Sequence, residues 1–410
     1  MALSALVRDG LVRAAGAPDA IDGVPARFVA APACTEQAAE VLRAAAGQRL
    51  AVVFRGAGTR QAWAAPPQRL DLVLDTTRLT GVVEHAAGDL IAVVRAGTPL
   101  ADLAAAFAPA GQQLALDTPL PGSTVGGVVA TNASGPRRMA YGTVRDLLIG
   151  VTVVRADGVV AHAGGKVVKN VAGYDLGKLI TGSYGTLGLI TECVFRLHPL
   201  PRQSAYLRWV APDVVTAARL AATVRGSQVV PSAVEIDAPA GGGCVVTVLI
   251  EGTPQGVAGR AAQVAALLGD ATDSGTQPPG GWGGYPWRSG DVGLKLTGAL
   301  SAVPALLAAT RAAADRRGVA LSVRGSAGVG VCYAGLPGDT DPAVAAGLIG
   351  ELRAAAADAT GHAVVLTAAP AVRQLVDLWG PVGGLDLMRR VKRQFDPEHR
   401  LAPGRFVGGI

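Results

Sequence analysis

The feature that most limits how this chain can fold lies between residues 119 and 192. It opens with PGSTVGGVVATNASG (121–135), continues through YGTVRDLLIGVTVVRADG (141–158) and closes with KVVKNVAGYDLGKLITGSYGTLGLITE (166–192). Glycine at this density exposes backbone N–H groups to another molecule, because no Cβ intervenes. Concave runs of N–H groups favour anions, phosphates above all. Two glycine-rich loops flank a strand-like run, and a third follows a helix-like run. The pattern predicts a scaffold that holds a phosphate-bearing ligand with its main chain.

The rest of the chain is ordinary globular material. Its 410 residues suffice for two domains. Half are apolar and only 4% aromatic, so the core must be built from Ala, Val and Leu. The formal net charge of +6 is spread along the chain, and the densest cluster, MRRVKRQFDPEHR (388–400), also carries acids. That cluster reads as a solvated basic helix face, not a nucleic-acid surface. Cys34, Cys193, Cys244 and Cys332 form no CxxC pair, so no zinc or iron–sulfur site is expected from them; each reads as a small buried hydrophobe of a reducing compartment. No secretory h-region and no uncharged apolar segment of membrane-spanning length is found. A cytoplasmic protein is expected, placed at the inner membrane only through partners.

In chain order, residues 1–34 predict a short helix and an entry strand. Thr35 is expected to cap a helix ending at Gly47. A buried strand (50–54) then runs into RGAGTR (55–60); the third glycine of a dinucleotide fingerprint is missing, and Trp63, Pro66 and Pro67 break any following helix. Strands follow at 70–74, 82–85 and 90–95, and Thr98 with Pro99 predicts the next helix start. Residues 147–158 and 159–164 read as a hairpin, 175–179 as a short helix stopped by Gly182, and 187–197 as a strand. Pro199 and Pro201 mark a domain boundary. Beyond it, strands alternate with Ala-rich helices, interrupted by TQPPGGWGGYPWRSG (276–290). Two readings of that loop stay open: a lid or partner surface, or aromatics that merely anchor a long loop.

RGAGT, PGSTVGG…TNASG, YG…RDLLIG and GSYGTLGLITE, in this order, resemble the FAD-binding domain of the vanillyl-alcohol oxidase type, also called PCMH-type. The likeness covers roughly residues 24–200, with a tail match at FDPEHRLAPGR (395–405). GPRR (135–138) and the 166–188 run are similar, more narrowly, to the E-type FAD-binding subunit of bacterial glycolate oxidase. Its D-type sister usually has Glu where this chain has Tyr184, and carries an H-x-G-x-G-N metal motif. Here Ser326 stands where the first His would fall, so no catalytic metal is expected.

The resemblance implies an α+β fold: a two-subdomain FAD-binding domain (1–202), an α+β cap domain (203–384) and a C-terminal helix and tail (385–410) returning to the FAD domain. It implies FAD contacts from Arg55, Gly56, Ala57, Gly58, Thr59 and Arg60. Pro121, Gly122, Ser123, Thr124, Gly126 and Gly127 would wrap the other side of the pyrophosphate. Thr131, Asn132, Gly135, Gly185, Gly188 and Ile190 would line the rest of the groove. Thr59 stands where some relatives attach flavin to His, so FAD is expected to be non-covalent. Lys169, Arg137 and Arg138 are candidate cations beside the flavin. Arg324, Arg288 and Lys295 are candidates for a substrate carboxylate, and His362 and His399 for a base. Ala402-Pro403-Gly404 replaces the family's N-P-G.

The expected function is the FAD-binding subunit of a glycolate (2-hydroxy acid) oxidase or dehydrogenase complex. A sister D-type subunit would supply metal-assisted oxidation, and an iron–sulfur subunit would take the electrons. Two alternatives stand: a stand-alone FAD-dependent 2-hydroxy-acid dehydrogenase, and a non-catalytic assembly subunit with a structural FAD site.

Overall fold

The computed structural model describes residues 10–166 and 173–410. The chain divides into two compact units. One runs to Ser134, resumes over Gly142–Leu200 and closes with Val382–Ile410; the other combines Gly135–Tyr141 with Pro201–Pro381.

The first unit holds two sheets. In the smaller, β1 (Val12–Ala14), β2 (Phe28–Ala30), β3 (Val52–Arg55) and β4 (Leu72–Asp75) lie in the order β1-β2-β4-β3. The described part of 1–34 thus forms two short strands, the expected entry strand among them, with a three-residue 3-10 helix (Ala17–Asp19) between them; residues 1–9 lie outside the described residues. Helix α1 (Thr35–Gly47) covers this sheet with Ala38, Ala39, Val41, Leu42, Ala44 and Ala45. Four of those six are alanines, so the helix backbone can approach the strands closely. Cys34, not Thr35, sits at its N-cap, and no side chain caps it.

The larger sheet contains β5 (Val82–Ala86), β6 (Ile91–Arg95), β8 (Leu148–Val154), β9 (Val160–Gly164) and β10 (Leu189–Arg196), ordered β5-β6-β10-β8-β9. A two-residue ladder joins β7 (Gln112–Gln113) to β11 (His198–Pro199). Helix α2 (Leu100–Phe107) starts from Pro99; the Thr98 hydroxyl instead accepts the Gly81 N–H at 2.9 Å. The run 121–135, expected as loop, contains α3 (Val125–Thr131). Its Val125, Val128 and Val129 recur at helical spacing and are buried in the core of the larger sheet. Burying each such side chain contributes about 1.5–3 kcal/mol. A short helix α4 (Leu176–Ile180) follows, capped by Asp175.

The second unit is one antiparallel sheet: β12 (Gln203–Ala211), β13 (Ala233–Ala238), β14 (Cys244–Gly252), β15 (Asp273–Gly275), β16 (Val292–Thr297), β17 (Ser322–Ser326), β18 (Val331–Leu336) and β19 (Ala363–Thr367). Their order is β15-β12-β14-β13-β17-β18-β16-β19. Helices α5 (Val214–Arg225), α6 (Pro254–Leu268), α7 (Val303–Arg316) and α8 (Pro342–Asp358) pack on it. Strand alternation gives the sheet two characters. Val234, Ile236, Val246, Val248, Leu294, Leu296, Cys332 and Ala334 are buried apolar positions. The alternate positions carry Glu235, Thr247, Lys295, Arg324 and Tyr333.

The aromatic loop 276–290 is anchored to that second set. Tyr285 and Trp287 stack at 4.4 Å, both rings meet Tyr333, and Trp282 meets Tyr206 at 5.1 Å. A Cβ on Gly293 would stand 2.5 Å from the Trp287 ring, so the strand glycine makes the landing place for the indole. The anchoring reading is the one the packing supports. The chain closes with α9 (Leu385–Phe395) and a tail that adds Leu401 in parallel beside Val52 of the first unit.

Candidate functional site

The first glycine loop begins where β3 ends. Arg55, its last residue, bonds Asp75 at 3.0 Å and Asp19 at 3.2 Å. The Arg13 hydrogen bond foremost, then the Gly16 N–H and Arg55, hold the Asp19 carboxyl far below the usual carboxylate range against the opposing effect of burial. Arg55 therefore fixes the loop rather than standing free. Gly58 takes φ +74°, a left-handed value that a Cβ disfavours. At Gly56 a Cβ would stand 2.3 Å from Thr124 Oγ1. The first loop thus touches the start of α3.

Arg60, 7% exposed, staples the two loops. Its Nη1 donates to Ser123 Oγ at 2.8 Å and its Nη2 to Thr118 Oγ1 at 2.6 Å, and Thr59 Oγ1 lies 3.3 Å from Ser123 Oγ. Thr124 caps α3 by accepting the Gly127 N–H at 3.4 Å. The valines of α3 face the core, which leaves Gly126, Gly127, Ala130 and Thr131 to face the cleft. The third loop hangs from the end of α3: the N–H groups of Gly182 and Tyr184 donate to Val129 O and Ala130 O, each at 2.9 Å. Tyr184 and Gly185 take consecutive positive φ values, 55° and 75°. The tail supplies Arg405, whose Nη2 donates to Gln61 O at 2.7 Å and Trp63 O at 2.8 Å.

These segments enclose an open cleft within the first unit. Arg55, Gly56, Ala57, Gly58, Thr59, Arg60, Thr124, Gly126, Gly127, Thr131, Gly185, Gly188 and Ile190, all expected from the sequence, line it. Pro121, Gly122, Ser123 and Asn132 do not. Ser123 is buried beneath as a support, while Pro121 and Gly122 form the exposed turn before α3. Gly135 belongs to the second unit. Thr76, Ala96, Tyr184 and Arg405 line the cleft without having been expected there. Arg405 lies in the recognisable tail run, and that was its available signal.

The donors differ from expectation in one respect. In the second loop, Val125 N–H goes to Thr98 O at 2.9 Å, Gly126 N–H to Ala96 O at 2.7 Å, and the Ser123 hydroxyl to Leu120 O at 2.6 Å. Those groups are committed to the protein. Among the described residues, the N–H groups of Gly56, Ala57, Gly58 and Thr59 donate to nothing. Four consecutive uncommitted donors on a glycine turn suit a pyrophosphate. Asn132 Oδ1 and Ser183 Oγ, next in sequence to cleft residues, are buried without a hydrogen-bond partner. Open glycine backbone and free donors together fit a large polar ligand such as a dinucleotide.

The remaining candidates sort by unit. Lys169 lies outside the described residues. Arg137 approaches Glu251 at 3.9 Å, and Arg138 donates to Gly135 O at 2.9 Å and Tyr333 Oη at 3.2 Å, so both serve the second unit. Arg324 is held by Asp237 at 2.6 Å and Gly281 O at 3.0 Å. Arg288, His362 and His399 are exposed. Lys295 stands apart. It lies across the strand pair from Tyr333, and among the described residues no carboxylate pairs with it. Burial pushes its ammonium below the usual lysine range; the Tyr333 oxygen opposes this and Arg138 adds to it. Cys193, Cys244 and Cys332 are buried, and burial pushes the Cys332 thiol up to about 12. Cys34 is only half-buried, contrary to expectation. The described residues gather no His, Cys, Asp and Glu group able to hold a metal.

Comparison with known proteins gives matches to two domains. Residues 26–164 match the FAD binding domain model, and residues 299–406 match the C-terminal domain of FAD linked oxidases. Glycolate oxidase subunit GlcE of Escherichia coli is 43% identical over 137 residues, 33% of this chain and 39% of that protein. Glycolate oxidase subunit GlcD of Bacillus subtilis is 33% identical over 213 residues, 52% of this chain and 45% of that protein. The chain spans less than half the length of these curated relatives. A solved structure of alkyldihydroxyacetonephosphate synthase superposes with a TM-score of 0.71 at 18% identity, covering 92% of this chain and 77% of that one, a likeness of fold. The two domain matches make this a flavin-binding protein. The chain carries an FAD binding domain of the PCMH type and the C-terminal domain of FAD linked oxidases, and its cofactor is FAD.

Proposed function

We propose that this chain is an FAD-dependent oxidoreductase acting on a small 2-hydroxy acid, and that it works as the FAD-binding subunit of a glycolate oxidase-type complex. The observation that carries this is the run of uncommitted N–H groups at 56–59 beside glycine-faced α3. The similarity to glycolate oxidase subunits supports the substrate class. FAD, when bound, supplies an acceptor for the hydride of a C–H bond next to a hydroxyl.

The chain's own residues do the rest. The 56–59 backbone holds the pyrophosphate, Arg60 and Ser123 keep that loop shaped, and Tyr184 with Gly185 closes the opposite wall. Thr59 offers no histidyl attachment, so the flavin dissociates; acid precipitation should release the yellow colour to the supernatant. Lys295 is assigned to the substrate carboxylate. It is a half-buried ammonium with no carboxylate partner among the described residues, and a charge-assisted hydrogen bond suits it. His362 and His399 are both exposed, and on this reading a sister subunit completes the chemistry. Electrons would pass to an iron–sulfur partner, and four free thiols suit a reducing, cytoplasmic location. Among the described residues no helix is long and apolar enough to cross a membrane.

The test is the visible spectrum of the purified chain before and after anaerobic glycolate, D-lactate and D-2-hydroxyglutarate. A flavin band that bleaches only when the sister chain is added supports the subunit reading. Bleaching of the single chain would establish the stand-alone dehydrogenase. A partner complex fully active with a flavin-free Gly58→Asp chain would establish the assembly role.

A further inference from the structure

The helix that closes the chain hides a cation. Arg389, Arg390 and Arg393 of α9 are exposed, as a solvated basic face requires, yet Lys392 is 0% exposed. Its ammonium has three donors. They meet Asp396 Oδ2 at 2.7 Å, Thr186 O at 2.8 Å and Leu401 O at 2.9 Å. Asp396, one turn further and equally buried, uses the same oxygen to accept the Leu401 N–H at 2.7 Å.

Those partners belong to two walls of the cleft. Thr186 sits inside the third loop, whose Tyr184, Gly185 and Gly188 line it. Leu401 is bridged to Val52 of β3, with Val52 N–H on Arg400 O and Ala402 N–H on Val52 O, each at 2.8 Å. Strand β3 feeds residues 56–59, and the same tail brings Arg405 into the cleft four residues later. Lys392 itself lines no part of the cleft. One buried ammonium therefore sets the spacing between the loop that would hold the pyrophosphate and the loop that faces it.

We propose that Lys392, paired with Asp396, is a positioning residue for FAD: it fixes the separation of the two walls without touching the cofactor. The inference rests on the cleft being the flavin site. A neutral pair of similar size would still fill the space, but Thr186 O and Leu401 O would lose their common donor. The walls could then drift apart.

The experiment uses the full chain carrying Lys392→Met together with Asp396→Asn. Removing both charges leaves no lone buried ion, and the introduced amide oxygen would still accept the Leu401 N–H. The expected result is a folded apoprotein by circular dichroism whose Kd for FAD rises about tenfold, within the range usual for coupling between distinct sites. Flavin that remains bound should fluoresce more strongly. An unchanged Kd in a folded double variant would overturn the proposal. Hydrogen exchange on the wild-type chain provides a second reading that needs no variant. FAD should slow exchange across 392–401, because coupling is reciprocal; protection confined to 56–60 and 182–190 would also overturn it. Gly58→Asp separates the two levels. If it binds FAD like wild type, the cleft assignment fails; if it does not bind while the double variant binds normally, only the role of Lys392 fails.

Discussion

The cleft of the first unit and the polar sheet positions of the second are built from opposite materials. The cleft is backbone: glycines at 56, 58, 126, 127, 185 and 188, shaped by short turns and by the two-loop staple of Arg60 and Ser123. The sheet positions are single side chains, Glu235, Lys295, Arg324 and Tyr333, contributed by four different strands. A backbone site needs contiguous sequence, because consecutive N–H groups come from consecutive residues. A side-chain site on a sheet needs only strand register, so its residues can lie anywhere in the chain. The first kind can hold a fixed cofactor; the second can change its ligand by one substitution.

The predictions press on that contrast. Gly56→Val should have the largest effect. Its Cβ would meet Thr124 Oγ1 and displace the cap of α3, costing about 1–2 kcal/mol of stability. FAD affinity should fall about 100-fold, read by flavin fluorescence. Retention of tight FAD would show that the cleft is not backbone-defined. Lys295→Met should leave FAD binding unchanged while raising the KM for the 2-hydroxy acid about 10- to 100-fold, the usual range for one lost charge-assisted bond. A fall in kcat with KM unchanged would argue against a carboxylate role. Trp287→Ala should cost about 2–3 kcal/mol in urea unfolding, somewhat below the cost at a fully buried site, and should spare FAD affinity. A loop acting as a lid would show the reverse pattern.

The smallest effect concerns pH. Asp19 has its folded pKa depressed, so its contribution to stability is present above the unfolded value of about 3.9 and is lost as pH falls toward the folded value. Asp19→Asn should therefore flatten the acid limb of the stability curve below about pH 4. Arg13 is 59% exposed, so solvent screens much of this pairing and the change should be modest. An acid limb identical to wild type would show that Arg13 and Arg55 do not hold Asp19 in solution.

The same contrast explains what could be read in advance. RGAGT and GSYGTLG were legible because backbone sites leave their residues side by side. The helical nature of 125–131 was obscured by the glycines beside its valines, although Val125, Val128 and Val129 already carried the spacing. Ser123 and Asn132 were placed in the groove on motif grounds, but local hydrogen bonding buried one and the end of α3 took the other. In the second unit, β13, β16, β18 and β19 went unread, since short apolar runs do not separate strand from helix. Lys392 was hidden on a basic helix whose other cations, Arg389, Arg390 and Arg393, are solvated; only packing against Thr186 and Leu401 distinguishes it. Lys295 was a candidate on charge alone; that no carboxylate pairs with it among the described residues shows only once the strands are in register.

The measurement that bears most directly on the account is a titration of FAD into apoprotein, wild type beside Gly58→Asp. A side chain at residue 58 meets open space but must adopt φ +74°, a conformation Asp tolerates better than most residues, so the variant places a carboxylate at the free N–H groups at a modest cost in backbone strain. Saturable binding by wild type and its loss in a folded Gly58→Asp chain is the predicted result. Equal binding by both would contradict the assignment of the cofactor to this cleft.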